Sequence, residues 1–269
     1  MLHGIPVYLS PCIAGYVGGD ITAGILAAGI DMAEETALFI DVGTNGEIVL
    51  GNRDGLYCCA VACGPAFEGA GISCGMPASD GAICSVETDG ETLSYRVVGG
   101  GDATGICGSG LLDLAACLLE LGYMDESGYL EDDGGENSFS VTHRVTLTQR
   151  DVRQLQLAKA AVRAGIERLT ETAGIAIDSI SRVYLSGGFG TRLRPESAVR
   201  IGMLPEIEPE RITALGNTSL TGAAMALLDP SLRGRIQEIK GKCSYLELSS
   251  DARFNDLYVD AMSFTEQLF

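Results

Sequence analysis

The stretch Asp41-Val-Gly-Thr-Asn-Gly-Glu47 sets an acid, a turn of small residues and a second acid between two apolar runs, "TALFI" and "IVLG". An acid at the end of an apolar strand suits a core poorly. It is well placed to hold Mg²⁺ through water, or to orient a water beside a phosphate. Gly43, Thr44, Asn45 and Gly46 form a tight turn whose consecutive backbone N–H groups can donate to phosphate oxygens. Asn-Gly is also the strongest ordinary hairpin signal, so the same residues read equally as a structural turn with a capping Asp.

Other residues able to do chemistry are scattered along the chain, and each has a plain alternative. "YLSGGFG" ends a strand in Gly187-Gly188, which either brings backbone close to a ligand or turns a strand into a helix. Glu68 in "GPAFEG" can polarise a water, position a partner or stabilise its own turn. Lys159 and Arg163 lie one turn apart on a long helix, where a solvated cationic pair is the simpler account. Asp20 and Thr22 open the first helix, either as cap residues or as part of a cleft wall. Cys58, Cys59, Cys63 and Cys74 invite a metal reading, yet their spacing matches no ferredoxin pattern and free Cys commonly packs as a small hydrophobe.

These residues belong to a chain of 269 residues with a net charge of −18 and a pI near 4.4. Such acidity argues against nucleic acid or an anionic membrane surface as a partner. Apolar residues make up 46% of the chain, but no run reaches the roughly 18–20 residues of a membrane span. The N-terminus lacks a cationic start, so a cytoplasmic location is expected. Nine cysteines without a Cys-x-x-Cys pair fit reduced thiols better than a disulfide framework. The 36 glycines favour an α/β protein with Gly-rich loops over a helical bundle.

The elements that must position the candidate residues follow from pattern. Ile5 to Ile13 reads as a strand, followed by an Ala/Gly-rich helix from near Asp20 that can pack closely on another backbone. Strands are expected at Leu38–Val42 and Glu47–Leu50, with a hairpin around Asp89-Gly90. A helix from Leu111 has Ser109 as its expected N-cap. The acidic stretch Asp125–Asn137 reads as a solvated surface loop. Thr148 to Asp151 matches a capping box that opens a long helix with Val152, Leu155, Ala158, Val162, Ile166 and Leu169 on one face. Asn217 leads a second small-residue helix.

The order hairpin, amphipathic helix, Gly-Gly turn and Ala/Gly helix resembles the second lobe of the acetate and sugar kinase, heat-shock chaperone and actin (ASKHA) superfamily. Within it, "LFIDVGTNGEIVLGN", "ACGPAFEGAGISCGM", "GICGSGLLD", "LSGGFG" and "GNTSLTGAA" together resemble the C-terminal region of the reductive activators of corrinoid proteins. The resemblance implies a ribonuclease H-like, actin-like α/β fold with a mixed sheet flanked by helices and an incomplete first lobe. It implies one region over 1–269, with 1–36 as a first connecting segment and 37–269 as the nucleotide-binding lobe.

The resemblance further implies ATP or ADP with Mg²⁺ as ligands. Asp41 would hold the metal through water, Gly43, Thr44, Asn45 and Gly46 would contact phosphates, and Gly187, Gly188, Phe189 and Gly190 would line the adenosine. Lys159 would flank the base or ribose, and Asp41 and Glu68 would serve catalysis. The implied activity is the ATP-driven return of a Co(II) corrinoid to Co(I). The implied partner is a corrinoid protein, such as a corrinoid/iron–sulfur protein or the corrinoid subunit of a methyltransferase. No iron–sulfur cluster is expected here, because neither a ferredoxin cysteine pattern nor an earlier Asp-x-Gly-Thr motif is present. A non-catalytic docking or homodimerisation module and a small-molecule kinase of the same superfamily stand as alternatives.

Overall fold

A computed structural model describes residues 4, 6–131, 137–190 and 193–264. In chain order the elements begin with α1 (Gly19–Ala28), β1 (Ala37–Val42), β2 (Gly46–Asn52) and β3 (Gly55–Val61). An inserted unit follows, made of β4 (Ala82–Thr88), β5 (Leu93–Val97), β6 (Gly105–Ile106), α2 (Gly108–Glu120), β7 (Ser138–Ser140) and β8 (Thr146–Thr148). The chain then returns through α3 (Gln149–Ala173), β9 (Arg182–Ser186), α4 (Gly187–Gly190), α5 (Pro195–Arg200) and β10 (Ile212–Gly216). It ends in α6 (Thr218–Leu228), α7 (Leu232–Lys242), β11 (Cys243–Tyr245) and α8 (Ala252–Asp260).

The main sheet has the order β10-β9-β1-β2-β3-β11. β1, β2 and β3 form an antiparallel meander, and β9 and β10 add in parallel beside β1 after helical crossovers. This is the ribonuclease H-like arrangement expected from the motif order. Both faces of the sheet are covered, which is why "ALFI" is continuously apolar. Leu38, Ile40 and Val42 point into the core shared with α3, while Ala37 and Phe39 point into the core of α1, α6 and α7. Asp41 continues the second face to the end of the strand.

The small-residue helices pack on each other. A Cβ on Gly222 of α6 would lie 1.9 Å from the Ala23 carbonyl oxygen of α1, and one on Gly24 would lie 2.9 Å from Thr218 Oγ1. Only helices without side chains at these points can approach so closely. The capping box at α3 is present: Asp151 N–H donates to Thr148 Oγ1, and Thr148 N–H donates to Asp151 Oδ2 at 2.9 Å. Asp151 Oδ1 also accepts from Ser73 N at 2.7 Å, which ties the 69–76 loop to the helix start.

Several expectations are corrected. The segment expected as a strand from Ile5 to Ile13 forms no ladder among the described residues; the Pro11 carbonyl instead accepts from Thr22 of α1 at 3.0 Å. α2 begins with Cys107 as its N-cap, and Ser109 lies inside the first turn, where its hydroxyl donates to Cys84 O at 2.8 Å. Of the acidic loop, residues 132–136 lie outside the described residues. Of the remainder, Asp125, Glu126, Ser127, Tyr129 and Glu131 are exposed as expected, while Leu130 is buried and the Ser127 and Gly128 carbonyls accept from Arg153, Gln156 and Gln149. The strand Gly55–Val61 was not read from the sequence. Its alternation sends Cys58 to one face of the sheet and Cys59, with Cys63, to the other.

Candidate functional site

Asp41 sits near the C-terminal end of β1, directly opposite Glu47 of β2 on one side and Ser186 of β9 on the other. Ser186 Oγ donates to Asp41 Oδ2 at 3.0 Å, and Thr218 Oγ1 lies 2.6 Å from Ser186 Oγ. With the Ser186 proton committed to Asp41, Thr218 is the donor in that second bond. Gly187 follows with φ +87°, and a Cβ there would meet Asp41 Oδ1 at 2.7 Å and Val42 O at 2.8 Å. Glycine is therefore required at this position for both its backbone angle and the close approach.

Burial raises the Asp41 pKa, and repulsion from Asp20 adds to it against the bonds from Ser186 and Ser219. Glu47 is pushed up to about 7 by burial first, then by Asp20 and Asp41. Three carboxylates thus repel one another at the end of the sheet. A carboxylate whose folded pKa lies above its unfolded one stabilises the fold at low pH, and that contribution is lost as pH rises through the folded value. For Glu47 the loss runs from pH 4.5 to about 7. Glu47→Gln is expected to raise stability at pH 8 and flatten this decline in urea unfolding series; an unchanged pH profile would refute the cause.

The Asp41 end of the sheet opens on a cleft of about 360 Å³, within the size range of about 300–1,000 Å³ for small-molecule sites. Val42 and Gly43 form one wall, Phe67 and Glu68 a second, and Gly187 and Gly188 a third. The inserted unit closes the cleft with Met76–Ala78 and with Cys107, Gly108 and Ser109 at the start of α2. A Cβ on Gly188 would meet nothing within 4 Å, so this wall has room beside it. Among the described residues, no Lys or Arg lines the cleft.

The hairpin residues divide. Gly43 N–H donates to Asn45 O at 2.9 Å and is used within the turn. The Thr44 hydroxyl is held by both Glu68 carboxylate oxygens, at 3.1 and 3.0 Å. The backbone amides of Thr44 and Asn45 donate to no protein acceptor among the described residues. Asn45 also borders a separate groove with Ala60–Ala62, Tyr245 and Phe254. Gly46 is buried against Cys63 Sγ and Val61, so core packing rather than the cleft demands a glycine there. Phe189 and Gly190 complete the α4 turn, and their side-chain surroundings lie outside the described residues.

Lys159 is placed away from the cleft, contrary to the expected role beside a base or ribose. It is buried in α3, donates to the Ser263 carbonyl and lies 5.1 Å from the Phe264 ring centroid. Burial, with Arg163 nearby, lowers its pKa to about 7. The unfolded chain then binds more protons between pH 7 and 10.5, so stability is expected to rise with pH across that window. Lys159→Met should remove the rise in thermal unfolding series; persistence of the slope would refute it.

Met76–Ala78 and the α2 N-terminus were missed as cleft walls. "GICGSG" carried a usable signal, since uncapped helix N-termini present free amides, but no periodicity indicates that this helix faces Asp41.

Comparison with known proteins supports the fold. The family described as the C-terminal domain of RACo, the ASKHA domain, matches residues 35–269. The chain is 34% identical over 277 aligned positions to the corrinoid activation enzyme RamQ of Eubacterium limosum, covering 94% of this chain and 46% of that protein. It is 29% identical over 290 positions to the Co(II) methylated amine-specific corrinoid protein reductase of Methanosarcina barkeri, covering 99% and 53%. Among solved structures, a reductive activator for corrinoid, iron–sulfur protein superposes with a TM-score of 0.89 at 41% identity, over 96% of this chain and 44% of that one. The chain spans about half the length of the curated relatives it matches.

Proposed function

Because this chain belongs to the family of the C-terminal ASKHA domain of RACo, we propose that it is the nucleotide-binding part of an activator that uses ATP to return a Co(II) corrinoid protein to Co(I). The observation that carries this reading is the meeting of Asp41, the start of the hairpin at Val42–Gly43 and Gly187–Gly188 around one cleft. The clustered carboxylates oppose a polyphosphate entering it, so in this reading the phosphates arrive with a divalent cation. Asp41 lies on the cleft wall with its charged form disfavoured by burial and by Asp20, and a cation held beside it through water would relieve both.

In this reading Asp41 holds Mg²⁺ through water, and Ser186 fixes the orientation of its carboxylate. The bound metal supplies charge neutralisation for the phosphates. The free amides of Thr44 and Asn45 donate to phosphate oxygens, and the bare wall at Gly187–Gly188 accepts the adenosine. Glu68 positions the hairpin through Thr44 and orients a water at the cleft mouth. The chain's part is nucleotide-dependent coupling to a corrinoid protein.

Calorimetric titration with ADP and a non-hydrolysable ATP analogue, each with Mg²⁺ or with EDTA, tests the reading. Saturable binding that requires Mg²⁺ is expected. Equal affinity in EDTA, or no heat at millimolar nucleotide, would sink it.

A further inference from the structure

A second cavity, of about 310 Å³, lies at the end of β3. Val42 and Gly43 line the Asp41 cleft, whereas Asn45, at the tip of the same hairpin, lines this one. Three aromatic residues from separate parts of the chain also line it: Tyr16 in the turn closed by the Ala14–Val17 bridge, Tyr245 at the end of β11, and Phe254 in α8. Val61 and Leu248, both buried, supply apolar wall. Among the described residues, Glu247 is the sole charged group lining the cavity.

This lining selects the charge of a ligand. Ser249 N–H donates to Glu247 Oε1 at 3.0 Å and holds that carboxyl below its usual pKa. The Tyr245 hydroxyl donates to Glu247 Oε2 at 3.3 Å, which keeps its ring beside the carboxylate. Aromatic faces are electron-rich, so three rings around one carboxylate favour a cation. The chain does not supply one: Arg253, next to Phe254 in sequence, is bonded instead to Glu171 at 2.7 Å.

The same lining narrows the kind of cation. One carboxylate is too few oxygen ligands for Ca²⁺ or Mg²⁺. A primary ammonium carries three N–H donors, and Val61, Leu248 and the rings offer them no acceptor. A methylated ammonium has no such donors to satisfy and can turn methyl groups to the apolar wall. We propose that this cavity binds a small quaternary ammonium cation, with its methyl groups among Tyr16, Tyr245 and Phe254 and its charge beside Glu247. The site does not depend on what the Asp41 cleft holds.

NMR titration of the full chain with choline, at constant ionic strength and without nucleotide, tests the proposal. The comparison ligand is the uncharged alcohol in which carbon replaces the choline nitrogen. Choline should shift the signals of Tyr16, Asn45, Tyr245 and Phe254 saturably in the millimolar range, and the alcohol should bind about tenfold more weakly. Tyr16 is 70% exposed, so its replacement leaves the fold intact. Tyr16→Leu should weaken choline binding about 2- to 5-fold, as for an exposed cation–π contact, and Tyr16→Phe should restore it. Equal binding of the alcohol would make the cavity a plain apolar groove. Unsaturable shifts spread over the acidic surface, or binding indifferent to Tyr16→Leu, would reduce the effect to net charge. Tighter binding of N-acetylarginine amide would assign the rings to a basic peptide. Each of these outcomes overturns the proposal.

Discussion

Asp41→Asn should cost about 10- to 100-fold in Mg²⁺-dependent nucleotide affinity, the range seen when an outer-shell partner of a metal is removed, while the protein becomes no less stable. The amide keeps the shape of the side chain and can still accept from Ser186, which donates to Oδ2 at 3.0 Å. It loses the charge that, in the proposed reading, orders water around the cation. Stability should hold or rise, because burial and Asp20 both disfavour the Asp41 carboxylate in the folded state. This combination, weaker binding with a fold at least as stable, is what distinguishes a functional acid from a structural one. Calorimetry with Mg-ADP alongside urea unfolding measures both halves. Wild-type affinity in the variant would remove Asp41 from the site, and a large loss of stability would return it to the role of a turn cap.

Arg235→Ala should destabilise the chain by about 3–5 kcal/mol. Its guanidinium meets both oxygens of Asp31 at 2.7 Å, and Asp31 is only 2% exposed. Removing the cation leaves a carboxylate buried without compensation. That cost exceeds the net worth of the intact pair, because the desolvation penalty was already incurred. Asp31→Leu combined with Arg235→Met should recover most of the loss, since neither charge then remains. The Lys242 ammonium also donates to the Asp31 carbonyl at 3.1 Å, so both ends of α7 are tied to this corner. Urea midpoints for the single and double variants check it; a single variant within about 0.5 kcal/mol of wild type, as for an ordinary surface change, would contradict the account.

Much of the fold was legible because local chemistry and tertiary need coincide. Thr148 and Asp151 cap α3 as their spacing predicts, and Val152, Leu155, Ala158, Val162, Ile166 and Leu169 are all buried along one side of it. Asn217 caps α6 by accepting from Leu220 N at 2.8 Å. Failures arose where a residue's type was ambiguous between surface and interior. Lys159 reads as a solvated or ligand-facing cation, yet the segment ending in Phe264 covers it, a contact across more than 100 residues that leaves no periodic trace. The described part of the acidic loop was read as solvated from its charge, while its backbone carbonyls and Leu130 are what dock.

By itself the sequence determined that Asp41 ends an apolar strand, that a tight turn follows it, and that Gly187 breaks a second strand. These are properties of neighbours in the chain, governed by backbone angles and side-chain period. Tertiary structure alone decided that Ser186 flanks Asp41, that the start of α2 closes the cleft, and that Gly46 serves the core. It also decided that α6 turns one face to α1 and leaves the other bare. The reason is that strand order and helix crossing bring together residues tens to more than a hundred positions apart, and their distances follow from packing the whole core, which no local pattern encodes.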